Sequence, residues 1–222
     1  MNRHISEQYD QELANLREQL MEMGGLVEQQ VNKACSSLVS HDVQLAEQVK
    51  TVEPTLNQME VELDDECVGI IARRQPAASD LRAVVSVMKL ITDLERIGDE
   101  AHRIAKMAIK LGRYDVPADQ YRDFRSMGSA VQLQLNEALD SFARLDVETA
   151  LRVLTSDQDI DDAYDQISKD CINQMQTTPD MAEQMVNLMW AARALERIGD
   201  HAKNISEYVI YQVKGKDVRH GR

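Results

Sequence analysis

The chain has 222 residues, of which 43% are hydrophobic, so it is long enough for one or two domains with a buried core. Its formal net charge of −13 argues against a general nucleic-acid binder, which needs a basic surface to neutralise phosphates. Three cysteines without a CxxC pair argue against a disulfide framework or a zinc knuckle. Without an apolar leader, or a run of about 20 apolar residues, we expect a cytoplasmic protein.

Three long helices are predicted in the first half of the chain, because apolar side chains recur there at helical spacing. Pro54 falls inside the second helix, so we expect a kink, or a restart with Pro54 near a first turn. Ser79 is the expected N-cap of the third helix. The predicted helices cover about residues 6–38, 43–74 and 80–111.

The second half repeats this pattern of three helices. Thr178 and Pro179 predict the start of the last helix, with a capping threonine followed by proline at the first position. Residues 112–117 are expected to connect the two halves. The predicted helices of the second half cover about residues 118–143, 147–175 and 179–213.

The two halves are copies of one unit. The hexapeptide Leu-Glu-Arg-Ile-Gly-Asp occurs at residues 94–99 and again at 195–200, and Met23-Gly24 recurs as Met127-Gly128. Long helices joined by short turns must pack antiparallel. We therefore predict an all-α protein of two tandem antiparallel three-helix bundles, related by internal duplication, with domains at 1–113 and 114–222.

Each hexapeptide copy places two carboxylates four residues apart, with a glycine between them. Like charges at this spacing repel on one helical face, and a glycine inside a helix costs about 1 kcal/mol relative to alanine. A bound cation and a close approach of two helices are the natural explanations. The candidate metal ligands are Glu95, Asp99, Glu196 and Asp200.

Because helices joined by a turn are antiparallel, residues at equal distances from the turn lie opposite each other. Counting the same number of residues back from each turn therefore suggests which residues of the other helices face these carboxylates. On the second helix of each unit the count reaches Glu53 and Asn57, and Asp157 and Asp161. On the first helix it reaches Glu28, whose repeat equivalent is Gln132. A second tier of candidate ligands follows: Glu28, Glu53, Asp157 and Asp161. Such oxygen-rich sets suit magnesium, manganese or iron, with calcium or zinc as further options.

Other interpretations stay open at this point. Arg96 could pair with Glu100, and Arg197 with Glu196 or Asp200, in ordinary surface ion networks that contribute little each. The ExxH signature of di-iron oxidases is absent, and we interpret His102 as a surface or peripheral residue. The three cysteines are expected to be buried and inert.

An enzyme is the alternative function class. The chain has no glycine-rich phosphate loop, GxSxG, HExxH or kinase-like set. A metal-cluster-dependent hydrolase or redox enzyme on a helical-bundle scaffold nevertheless remains open, because multinuclear sites can hydrolyse.

Three segments together resemble the PhoU family, the accessory regulators of bacterial high-affinity phosphate transport. They are Met-Gly-Gly-Leu-Val-Glu at 23–28, Arg-Arg-Gln-Pro-Ala-Ala-Ser-Asp-Leu-Arg at 73–82, and the repeated hexapeptide. The resemblance covers nearly the whole chain and implies two similar three-helix bundles. In some members of the family the repeated acidic motifs bind metal clusters, which would involve Glu95 with Asp99 and Glu196 with Asp200.

The resemblance also implies a function and partners. It implies a non-enzymatic adaptor that damps phosphate uptake and keeps the phosphate-starvation (Pho) response off when phosphate is plentiful. The implied partners are the ATPase subunit of the phosphate transporter and a phosphate-sensing histidine kinase. The protein would be a homodimer that reaches the membrane only through these partners. The implied cofactors are iron, zinc, manganese or magnesium ions, and Gln132 in place of Glu28 puts equal metal occupancy of the two bundles in doubt.

Overall fold

The computed structural model of the chain describes residues 2–114 and 121–216. Within these residues it contains α-helices and short 3₁₀ segments, and no β-strand, which confirms the all-α prediction. The elements are α1 (Asn2–Ser40), α2 (Val43–Lys50), α3 (Glu53–Arg74), α4 (Ala78–Leu111), α5 (Arg122–Arg144), α6 (Val147–Thr177), a 3₁₀ turn (Pro179–Met181) and α7 (Ala182–Lys214).

The first bundle consists of α1, α3 and α4, with α2 as a short helix that leads into α3. Asp42 caps α2, because its Oδ1 accepts a hydrogen bond from the Leu45 N–H at 2.9 Å. The helix stops after Lys50 and restarts at Glu53, with Pro54 in the first turn of α3. This is the predicted restart, and proline is tolerated there because its missing N–H would have no partner in the helix.

The start of α4 differs from the prediction. Ala77 occupies the N-cap position and makes no side-chain capping bond. The Ser79 hydroxyl instead bonds to Asp80 Oδ1 at 3.3 Å, one residue inside the helix. The prediction that Ser79 caps this helix is therefore wrong.

The second bundle consists of α5, α6 and α7. Asp146 caps α6 as Asp42 caps α2, accepting hydrogen bonds from the N–H groups of Glu148 and Thr149. Thr178 makes no side-chain capping bond, contrary to the prediction, and a 3₁₀ turn from Pro179 precedes α7. Residues 115–120, which hold part of the predicted connection and the predicted start of α5, lie outside the described residues.

Equivalent apolar residues fill both bundle cores. In α1 and α5 these are Val27, Val31 and Ala34, and Val131, Leu135 and Ala138, all of them buried. The three cysteines are free and buried, as predicted, and burial raises the pKa of Cys35 to about 12.

The two bundles meet along α4 and α7, which run antiparallel, and along α1 and α5. A buried polar network joins α4 to α7. Asp93 hydrogen bonds with His201 Nδ1 at 2.7 Å and accepts from the Tyr208 hydroxyl at 2.6 Å. Glu100 pairs with Arg197 at 3.0 Å. The two hexapeptides therefore lie on the central pair of helices, within the predicted tandem three-helix bundles.

Candidate functional site

Four carboxylates of the first bundle lie close together where α3 faces α4. We define the first cluster as Glu53, Glu60, Glu95 and Asp99. Burial raises the pKa of Glu95, and the charges of Asp99, Glu60 and Glu53 raise it further. The pKa of Glu60 is also raised, by burial and then by the charges of Asp64 and Asp99. The neighbouring carboxylates therefore disfavour the ionised forms of Glu95 and Glu60, and the charge of Arg96 offsets part of this effect.

Glu60 is the member that the turn counting missed. The count reached Asn57, whose exposed side chain lies on the same helix one turn earlier. Glu60 and Asp64 follow Glu53 at spacings of seven and eleven residues, which places all three on one helical face. This spacing is the signal that could have identified them.

His102 borders the first cluster and is not a surface residue. Its side chain is buried, with 8% of its surface exposed, and its Nδ1 lies in close contact with Glu53 Oε2. Burial lowers the pKa of His102, while the charge of Glu53 opposes the shift. The interpretation of His102 as peripheral is therefore wrong, because α4 turns this residue towards α3.

Four carboxylates also gather at the equivalent level of the second bundle. We define the second cluster as Asp157, Asp161, Glu196 and Asp200. Burial raises the pKa of Glu196, and the charge of Asp200 raises it further. The pKa of Asp161 is raised by burial and then by the charges of Asp157 and Asp200. Counting from the turns therefore correctly predicted that these four residues lie close together.

Basic side chains neutralise part of the second cluster. Lys203 Nζ lies 2.5 Å from Asp157 Oδ2, and this hydrogen bond raises the pKa of the lysine. Arg193 donates to Glu196 Oε1 at 2.6 Å, and its guanidinium lies 5.5 Å from the ring centroid of Tyr164. Lys203 and Arg193 therefore each form an ion pair with a carboxylate of this cluster. The sequence analysis did not identify either of these basic residues.

The residue of the first helix that reaches the second cluster is Gln134, not Gln132. Gln134 Nε2 donates to Asp157 Oδ1 at 3.3 Å, whereas Gln132 bonds to the buried Cys35. In the first bundle, Glu28 accepts a hydrogen bond from Asn136 Nδ2 at 2.9 Å, across the contact between α1 and α5. The counted register is therefore off by two residues on this helix, and the metal role of Glu28 stays a prediction.

The glycines of the two hexapeptides lie where helices approach closely. A Cβ atom at Gly98 would be 2.6 Å from Leu56 Cδ1 on α3. A Cβ atom at Gly199 would be 3.1 Å from Gln134 Oε1 and 3.4 Å from Ile160, the repeat equivalent of Leu56. The close approach of helices explains the glycine in each copy without any ligand.

The donor chemistry of the two clusters differs with respect to a metal ion. Across residues 2–114 and 121–216, no three His, Cys, Asp or Glu side chains converge at metal-ligand spacing. The first cluster offers carboxylate oxygens with raised proton affinity, which suit a hard cation. The second cluster fits a metal poorly, because the Lys203 ammonium already lies on Asp157.

The fold and these clusters define the class of protein. It is a tandem pair of three-helix bundles with an acidic cluster in each bundle, and no helix of its described part has an apolar stretch that could cross a membrane. The chain belongs to the PhoU family, since the PhoU domain matches residues 20–108 and 124–209. The resemblance found in the sequence is thereby confirmed.

Named relatives match this chain over nearly its whole length. The phosphate-specific transport system accessory protein PhoU homolog of Pseudomonas aeruginosa is 48% identical, over 99% of this chain and 91% of the relative. The corresponding Escherichia coli protein is 39% identical, over 99% of this chain and 91% of its own length.

Solved structures show the same fold. The crystal structure of PhoU from P. aeruginosa superposes with a TM-score of 0.91 at 47% identity, covering 94% of this chain and all of that one. The phosphate transport system regulatory protein PhoU from Streptococcus pneumoniae superposes with a TM-score of 0.87 at 29% identity, covering 95% of this chain and 99% of its own.

Proposed function

We propose that this protein is a regulator of phosphate homeostasis that restrains high-affinity phosphate uptake and keeps the phosphate-starvation response off when phosphate is plentiful. The observation that carries the proposal is similarity along the entire length, at up to 48% identity, to proteins named as accessory to phosphate-specific transport. The structural relative from S. pneumoniae is named as a regulatory protein of the same system.

We infer that it acts by binding other proteins and not by catalysis. The most enzyme-like pair in the described residues is Asp93 with His201, and both side chains are buried between α4 and α7. The Asp93 carboxylate also accepts from Tyr208, so this pair holds two helices together and faces no substrate. No observation favours the hydrolase or redox alternative.

The adaptor role specifies partners and a compartment. The proposed partners are the ATPase subunit of the phosphate transporter and the phosphate-sensing histidine kinase. The protein would be cytoplasmic and homodimeric, and would reach the membrane through these partners. Support comes from the family membership and from the names of the relatives.

A divalent cation in the first cluster is the second part of the proposal. Glu95 and Asp99 on α4 would hold it, together with Glu53 and Glu60 on α3. The cation would neutralise the mutual repulsion of these carboxylates and so stiffen the contact between the two helices. Magnesium, manganese, iron and zinc are the candidate ions, with oxygen donors favouring the harder ones.

Deletion of the gene tests the regulatory proposal directly. We expect derepressed phosphate uptake and phosphatase expression in high phosphate, with repression restored by the intact gene. Equal phosphatase expression with and without the gene in high phosphate would contradict the proposal. Turnover of a phosphoester by the purified protein, abolished in Asp99→Ala, would instead support the enzyme alternative.

A further inference from the structure

A groove of about 680 Å³ runs between the C-terminal half of α4 and the N-terminal half of α7. It lies on the contact between the two bundles. Its lining comes from three basic residues and one methionine of α4, from an arginine just after that helix, and from four residues of α7, two of which are apolar. The lining residues are Arg103, Lys106, Met107, Lys110, Arg113, Glu183, Val186, Asn187 and Trp190.

The basic side of the groove reverses the charge of the protein locally. Arg103, Lys106 and Lys110 follow one another at spacings of three and four residues, so they share one face of α4, and Arg113 follows in the turn after that helix. The three cations on the helix span about 10 Å along its axis. Glu183 is the acidic residue of the lining, and its carboxylate is hydrogen-bonded to Tyr114. The groove is therefore cationic in a chain whose net charge is −13.

Most of this positive charge is not used within the protein. Arg103 shares the buried Glu100 with Arg197. Among residues 2–114 and 121–216, Lys106 and Lys110 form no ion pair, and both side chains are exposed. Because exposed like charges in a row repel one another, this arrangement gives the groove affinity for an anionic partner.

Two apolar side chains on the α7 side of the groove are exposed. Trp190 is 54% exposed and Val186 is 42% exposed, one helical turn apart. The buried Met107 of α4 lines the same groove. Exposed apolar side chains inside a charged rim mark protein-interaction sites, and tryptophan is the residue type most enriched among binding hot spots.

The geometry favours a protein helix over other anionic ligands. Nucleic acid or an anionic membrane would meet the repulsion of a chain at −13 over a far wider surface. A small anion would need fixed donors, but the buried polar side chain of the lining, Asn187, donates to the Glu183 carbonyl within its own helix. A row of cations beside an apolar strip complements a helix with adjoining acidic and aliphatic rows.

We propose that this groove docks an acidic amphipathic helix of a partner protein. The carboxylates of the helix would lie along Lys106, Lys110 and Arg113, and its aliphatic side chains would pack on Trp190 and Val186. The proposal rests on the adaptor function proposed above and adds the surface and the chemistry of one partner.

A designed peptide tests the surface without knowledge of the partner. The probe is an acetylated and amidated helix of about 18 residues, made of glutamate, leucine and alanine, with its glutamates and leucines in adjoining rows. Trp190 is the only tryptophan of the chain, so its fluorescence reports directly on the groove. Titration of the full-length protein should change this fluorescence and saturate. The same peptide with glutamine for glutamate should bind at least about tenfold more weakly, because it lacks the charge.

Matched charge-reversal variants locate the binding. The double variant Lys106→Glu/Lys110→Glu should weaken binding of a labelled peptide, followed by anisotropy, about tenfold. The control Arg122→Glu/Lys169→Glu changes the net charge by the same amount at exposed positions of α5 and α6 and should stay within about twofold of wild type. Equal weakening in the two double variants, or no binding of the acidic peptide by wild type, would overturn the proposal. Binding of anionic vesicles in place of the peptide would also overturn it.

The same variants separate this proposal from the regulatory one. In a deletion strain, Lys106→Glu/Lys110→Glu should fail to restore phosphatase repression in high phosphate, whereas Arg122→Glu/Lys169→Glu should restore it. Full repression by both variants would overturn the docking surface and leave the regulatory role intact. Failure of the wild-type gene itself to affect repression would instead overturn the regulatory role.

Discussion

The two acidic clusters occupy equivalent places in the two bundles but differ in how their charge is balanced. In the second cluster, Lys203 lies on Asp157 and Arg193 on Glu196. In the first bundle, the residues equivalent to Lys203 and Arg193 are His102 and Thr92. No lysine or arginine in the described part of the chain forms an ion pair with a first-cluster carboxylate. The second cluster is therefore paired with two basic side chains, whereas Arg96 acts on Glu95 and Glu60 of the first cluster through its charge alone, which is why we propose the first cluster as the cation site.

This difference shows that duplication of a fold does not imply duplication of a site. The backbone, the glycines and the core positions match between the bundles, because helix packing depends on them. The charges at the edge of the core have diverged: Tyr164, which faces Arg193, stands where the first bundle has Glu60. A pair of carboxylates four residues apart is thus compatible with either arrangement, and the residues opposite decide which one results.

The largest expected effect comes from removing the internal cation of the second cluster. Lys203→Met leaves Asp157, which is only 4% exposed, without its charged partner. We expect the free energy of unfolding, measured in urea, to fall by about 2 kcal/mol. Lys169→Met, at an exposed position of α6, should change it by less than about 0.5 kcal/mol.

The equivalent change in the first bundle sharpens the comparison. His102→Met should destabilise the protein less than Lys203→Met, because the side chain of Glu53 is 40% exposed and water can replace its partner. Equal losses from the two substitutions would mean that the two clusters are balanced in the same way, contrary to this account.

A smaller effect is expected from neutralising one carboxylate of each cluster in metal-free protein at pH 7. Glu95→Gln should stabilise the protein by a few tenths of a kcal/mol, because it relieves repulsion from Asp99 and Glu60 in a solvent-screened place. Glu196→Gln also loses the ion pair with Arg193, so its net gain should be smaller. Thermal unfolding of the two variants beside wild type measures the difference, and a larger gain from Glu196→Gln would reverse the comparison.

The gain from Glu95→Gln should also depend on pH. The pKa of Glu95 is raised above its ordinary value of 4.5, so the folded protein binds this proton more tightly than the unfolded chain. The carboxylate therefore destabilises the fold above its folded pKa, and this cost disappears as the pH falls through that pKa towards 4.5. Urea unfolding at several pH values should show the advantage of the variant at pH 7 and its loss near pH 4.5. An advantage that grows on acidification would contradict this assignment.

The fold was predictable from the sequence because its determinants are local. Val27, Val31 and Ala34 recur at helical spacing, and their equivalents 104 residues later are buried in the same way. The turns at Asp42 and Asp146 have the same capping residue. Helix period and repetition were therefore sufficient for two tandem bundles, although the capping predictions at Ser79 and Thr178 were wrong.

The candidate site was predictable only in part, because register across helices depends on packing that no spacing reveals. Counting from the turns placed Asp157 and Asp161 beside Glu196, but reached Asn57 instead of Glu60. The role of Lys203 and the burial of His102 depend on how far α7 and α4 are rotated towards the neighbouring helices. Successive residues differ by about 100° around a helix, so an error of one residue in the register moves a side chain from a buried face to a solvated one.

The central claim is that the first cluster binds a divalent cation and the second does not. Calorimetric titration of metal-free protein, purified without an affinity tag, with Mn²⁺ tests it most directly, using matched double variants of the two bundles. Glu95→Gln/Asp99→Asn should abolish the binding heat, and Glu196→Gln/Asp200→Asn should leave it unchanged. Loss of the heat in the second variant, equal loss in both, or no binding by the wild-type protein would contradict the claim.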